Sequence, residues 1–197
     1  MFKTSTRFAL SAALIALAAP LAAQSQGDWT LGVGVINVNP KSDNGSVGAN
    51  PITIDDDTQL SLTVEYFIRD NLGIELLAAT PFSHDVSVGG TPTFSTKHLP
   101  PTLSLNYHFD TNSNWRPFIG AGINYTTFFE ETGGFSLKDS WGLAATLGID
   151  YKVKDNGALR FEVRYMDIDT DVYSGGAYVT TAEIDPIVLN FAYVHRF

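Results

Sequence analysis

Four histidines, His84, His98, His108 and His195, are the side chains in this sequence best suited to acid–base or metal chemistry. His84 and His98 flank one long polar segment and could meet at a metal, but no third ligand stands at metal spacing. Ser83-His84-Asp85 contains the residue types of a hydrolytic triad, but as chain neighbours, which cannot adopt a triad's geometry. Asp167, Asp169 and Asp171 resemble the start of a calcium loop. The sixth place is Val172 rather than glycine, and the twelfth is Tyr178 rather than glutamate. Asp55 to Asp57 form a second acidic run. Both runs read most simply as strand-end charges, with divalent bridging to lipopolysaccharide as their one further use. No cysteine is present, so no disulfide, thiolate metal site or cysteine nucleophile can form. These residues predict no enzyme, and no catalytic, cofactor or metal site.

The remaining charge narrows the partners. Twelve Lys and Arg stand against 21 Asp and Glu, with no basic cluster, which argues against nucleic acid. The chain opens with Lys3 and Arg7, then an apolar run from Phe8 to Ala19, then Pro20 and small residues at Ala22 and Ala23. That order predicts a signal peptide over 1–23, with a cut after Ser25 as the alternative, and an exported domain over 24–197.

The elements that must position the remaining residues are strands. In Thr58 to Thr80, Leu60, Leu62, Val64 and Tyr66 share one parity, while Gln59, Ser61, Thr63 and Glu65 share the other. The same alternation predicts eight strands, near 28–38, 57–67, 72–80, 99–109, 115–127, 139–151, 158–168 and 185–197. Short turns alternate with longer polar segments over 39–56, 81–98, 128–138 and 169–184, so all the long loops emerge at one end.

Which parity faces outward decides the class. Trp141, Leu143, Ala145, Leu147, Ile149 and Tyr151 alternate with Ser140, Gly142, Ala144, Thr146, Gly148 and Asp150. Strands this long suit a tilted membrane crossing, and small residues suit the narrow interior of an eight-stranded barrel. Aromatics gather at two levels. Trp29, Tyr66, Tyr107, Phe109, Trp115, Tyr151 and Phe197 lie toward the short turns, and Tyr125, Phe128, Phe129, Trp141 and Tyr165 toward the long loops. The prediction is an all-β fold, an eight-stranded antiparallel transmembrane β-barrel with short periplasmic turns and long extracellular loops. Its apolar parity faces outer-membrane lipid and lipopolysaccharide. Glu65, Glu75, Arg116, Asp150, Arg160, Glu162 and Arg164 share the inward parity and are expected to pair as a lumen charge network. The terminal Phe197, with alternating apolar residues behind it, looks like the signal read by the outer-membrane assembly machinery.

Several stretches resemble the outer membrane protein W (OmpW) family. They are ELLAATPF (75–82), HLPPTL (98–103), RPFIGAGINYTTFF (116–129), LKDSWG (137–142) and YMDIDT (165–170). The resemblance covers about Asp28 to Phe197. It implies a Gram-negative outer-membrane barrel passing small hydrophobic solutes, released sideways into the bilayer. It also implies an apolar constriction, one position of which matches Leu77. The other, usually Trp, is Arg164 here, which suits an ion-pair plug better than an apolar gate. Another usual Trp is replaced by Ile187. The expected lining is Leu77, Arg164, Phe118, Met166, Ile168 and Ile36. Leu99, Pro100 and Pro101 open the fourth strand, and proline cannot donate to a ladder, so a lateral gap is expected there. Two other readings stand beside the channel. One is a closed barrel whose loops act as a surface receptor or adhesion site, and the other is a soluble periplasmic ligand binder with the opposite face polarity.

Overall fold

Alternation of apolar and polar residues becomes strand throughout the computed structural model, which describes residues 24–197. The expected signal peptide, 1–23, lies outside the described residues. The strands in chain order are β1 (Trp29–Asn39), β2 (Ser46–Val47), β3 (Asn50–Ile54), β4 (Asp57–Arg69), β5 (Leu72–Ala79), β6 (Phe82–Val88), β7 (Thr91–Leu99) and β8 (Thr102–His108). They continue with β9 (Trp115–Phe129), β10 (Phe135–Leu137), β11 (Ser140–Lys154), β12 (Gly157–Met166), β13 (Asp169–Ser174), β14 (Ala177–Glu183) and β15 (Ile187–Arg196). Eight of them form an antiparallel barrel in the order β11-β12-β15-β1-β4-β5-β8-β9, closed by β9 pairing with β11. Up to the level of Leu77 and Thr102, closure leaves the barrel no free sheet edge, so its backbone polar groups there are met without water.

The outer face carries the large apolar side chains. Leu143 is 68 % exposed, Leu147 65 % and Leu60 61 %, a surface that water would not tolerate and lipid would. Near the short turns, Trp29 packs on Tyr66, Tyr107 on Phe109 and Trp115 on Tyr151. Near the other end Tyr125 packs on Trp141, and Tyr165 is exposed. Phe128 departs from the expected girdle. It is buried, with its ring turned inward against His98 at 5.8 Å between centroids.

The long segments read from sequence as loops are largely sheet. Beyond the upper aromatics, β9 pairs with β7, and β6, β3 and β2 follow. A separate sheet has the order β10-β13-β14. Two-residue turns make these hairpins. Gly89-Gly90 joins β6 to β7, and Gly175-Gly176 joins β13 to β14, all four at positive φ. Double glycine suits the primed turns whose twist matches paired strands. Strand four is also shorter than predicted. It starts at Thr102, and Leu99 belongs to the outer hairpin.

Candidate functional site

The lower lumen is filled by charge. Arg160 is fully buried and reaches three carboxylates. Its Nε and Nη2 donate to Asp150 at 2.7 and 3.0 Å, Nη1 to Glu75 at 2.8 Å, and Nη2 to Glu65 at 3.3 Å. Arg164 Nη2 donates to the other oxygen of Glu75 at 2.7 Å and lies 3.6 Å from Glu162. Asn190 donates to Glu162 at 2.7 Å, and His108 Nε2 meets Glu65 at 2.9 Å. Neighbouring strands set these contacts, since Arg160 faces Asp150 across β12 and β11, and Glu65 faces Glu75 across β4 and β5. Arg116, opposite Asp150 on β9, is half-buried at the rim of this cluster rather than inside it.

Phe118 was expected in the solute lining and instead belongs to this plug. The Arg160 guanidinium lies 4.5 Å from its ring centroid, and His108 stacks on it at 4.7 Å. Gly148 makes room for it, because a Cβ there would come within 2.1 Å of the ring. Arg164 likewise forms the top of the plug, not an apolar constriction. The network is buried and ion-paired, with Arg164 Nη1, Glu162 Oε1 and His108 Nδ1 left without hydrogen-bond partners, and breaking its pairs is costly.

Above the plug the lumen turns apolar. Leu77, Ile36, Met166 and Ile168 meet as expected, packed with Phe82, Phe128, Val38, Ile184 and Val188. The wall beside this layer is interrupted. β5 pairs with β8 as far as Leu77–Thr102, and pairing resumes between β6 and β7 at Phe82–His98. Among the described residues no ladder bond joins 78–81 to 99–101. Toward β9 the same segment is held. The Pro101 carbonyl accepts from the Tyr125 N–H at 3.1 Å, and the Pro100 carbonyl from Asn124 Nδ2 at 3.1 Å.

Outside the apolar layer the hairpins form a chamber that is partly open to solvent. Ile52, Val86, Phe94, Val172 and Ala182 form its buried apolar wall. His84 and His98, foreseen as possible partners, do meet on this wall, with Nε2 atoms 2.9 Å apart. They meet as a pair, with His84 Nδ1 turned to the Asp55 carbonyl at 2.5 Å. Burial pushes both rings below the usual imidazole range, and His98, which also faces His84, down to about 3.

The acidic residues regroup. Asp167 and Asp169 converge with Asp185 rather than with Asp171, which accepts from Thr181 at 2.8 Å. Lys41 donates to Asp185 at 2.9 Å and to Glu183, so this cluster carries its own cation. Asp169 is raised by burial and by Asp185 and Asp167 beside it. Sequence reasoning missed Asp185 because it comes from a distant turn. It also missed the chamber, whose signal was the apolar alternation flanking each Gly-Gly.

A family model described as the OmpW family matches residues 25–197. Outer membrane protein W of Vibrio cholerae is 40 % identical over 91 % of this chain and 93 % of its own length. The crystal structure of OprG from Pseudomonas aeruginosa superposes with a TM-score of 0.76 and 37 % identity, covering 89 % of this chain and 98 % of that one. The solution structure of outer membrane protein W of Escherichia coli gives 0.66 and 38 %, over 88 % and 99 %. The closed eight-stranded barrel, its lipid-facing surface and these likenesses agree, and the chain belongs to the OmpW family of outer-membrane proteins.

Proposed function

We propose that this protein is a passive uptake route for small hydrophobic molecules, which enter the outer chamber and leave sideways into the bilayer. The observation that carries the reading is the level of the ladder break. It flanks the apolar layer of Leu77 and Phe82, two residues above the ion-paired Glu75. A solute moving inward meets apolar side chains, then a closed charged plug, and beside it a wall without ladder bonds. Straight passage would require unpairing buried charges, at a cost of about 3–5 kcal/mol for each broken pair. Sideways exit, above Glu75, breaks none of these ion pairs. A more distant relative, 26 % identical over 93 % of this chain, bears the name dibenzothiophene metabolism operon protein PahQ. The name refers to the metabolism of an apolar aromatic compound. The route is read as passage without catalysis.

The ion-paired plug favours one rival, a closed barrel acting through its outer hairpins as a receptor. Uptake into vesicles with a lipopolysaccharide outer leaflet separates the two. The uptake reading expects an apolar solute to enter faster than in protein-free vesicles, while a polar solute of equal size does not. Equal rates with and without the folded protein would leave only the receptor.

A further inference from the structure

Five polar side chains line the outer chamber: His84, Thr96, His98, Thr170 and Thr180. Each has its hydrogen committed. The Asp55 carbonyl only accepts, so His84 carries its proton on Nδ1 and leaves Nε2 bare. His98 Nε2, 2.9 Å away, must then supply the hydrogen of that contact. Thr170 donates to the Lys138 carbonyl at 2.7 Å, Thr180 to Ser46 at 3.0 Å and Thr96 to Lys97 at 3.3 Å. What remains for a solute is lone pairs. The most exacting of them is His98 Nδ1, which has no partner on a ring only 1 % exposed. An unsatisfied buried acceptor is costly, and its fulfilment by a ligand favours binding. Burial keeps His98 neutral near pH 7, so the Nδ1 lone pair persists.

We infer that the chamber selects apolar solutes carrying one hydrogen-bond donor, such as phenols and long-chain alcohols, with His98 as the docking acceptor. This rests on the uptake reading and names the solute class within it. A solute whose only polar atom is an ether or ketone oxygen places acceptor against acceptor. A hydrocarbon leaves His98 as it is.

The matched probes are 2-naphthol and 2-methoxynaphthalene, which share a skeleton and differ in the O–H. Binding is measured by fluorescence on the refolded full barrel in lipid nanodiscs, with empty nanodiscs giving the lipid background. After that correction, 2-naphthol should bind about fivefold more tightly, as expected for one hydrogen bond to a buried group. His98→Leu should erase the preference while still binding the ether. The ¹⁵N resonance of His98 Nδ1 in the native protein should shift with 2-naphthol and not with the ether, and it decides the matter if His98→Leu does not fold. Equal binding of both probes, or a preference kept in folded His98→Leu, would overturn the inference and leave uptake standing. Binding of neither probe above empty nanodiscs would overturn both.

Discussion

Replacing Arg160 by methionine keeps much of its bulk but leaves Glu65, Glu75 and Asp150 facing one another without the guanidinium. The expected loss is about 3–5 kcal/mol of barrel stability, read from urea unfolding in lipid vesicles, because a buried charge without its partner is uncompensated. A loss below about 1 kcal/mol would mean that water reaches the plug. At the outer end the titrating pair is His84 and His98. Unfolded histidine takes its proton near pH 6.5, whereas folded His98 holds off until about 3 and folded His84 is also lowered. Between those values the unfolded hairpin binds more protons, so its stability is full above pH 6.5 and falls as pH drops toward 3. Amide exchange in Phe82–Leu99 should therefore quicken between pH 6.5 and 4, once corrected for intrinsic rates, while the barrel strands stay protected. The inward parity of Arg160, Arg164, Glu65 and Glu75 was legible in sequence, because alternation alone assigns faces. Their pairing across the lumen was legible only as an expectation of opposite charges. Phe118 was misplaced because parity says inward but not at which height or against what.

At the scale of elements, two glycine positions carry different burdens. Gly148→Ala would put a methyl into the Phe118 ring, so it should cost about 1–3 kcal/mol, as overpacking does. Phe118→Leu in the same chain should recover part of that loss. Gly89 and Gly90 are held at φ of 60° and 79°, where any Cβ is strained. Changing both to alanine should open the β6–β7 hairpin to proteolysis in folded protein and leave the barrel's cooperative unfolding unchanged. Loss of the barrel as well would show that the outer hairpins and the barrel fold as one unit. All eight barrel strands were legible because one face meets lipid and the other a crowded lumen, which enforces strict alternation. The outer hairpins were not, because their strands are rich in Thr, Ser and Asp and joined by turns that look like loop composition. Leu99 to Pro101 were read as the opening of a strand. They form instead the seam between an outer hairpin and the barrel, a distinction set by which neighbour each residue pairs with.

On the scale of the whole molecule, three layers follow one another along the lumen: an outer chamber, a packed apolar layer and a paired-charge plug. Among the described residues, the middle layer adjoins the break between Leu77–Thr102 and Phe82–His98. The account's central claim is that an apolar solute leaves through that break. The most direct measurement follows the transfer of a fluorescent apolar solute from outside into the hydrocarbon of vesicles with a lipopolysaccharide outer leaflet. A polar solute of matched size reports the internal volume, and the native chain is compared with Pro100→Ala/Pro101→Ala. Alanines restore two backbone N–H groups and allow the ladder to continue from Thr102. The account predicts that the native protein speeds appearance of the apolar solute in the bilayer, with no gain for the polar one, and that the folded double variant loses most of that gain. An undiminished rate in the folded double variant, or entry of the polar solute alongside the apolar one, would contradict it.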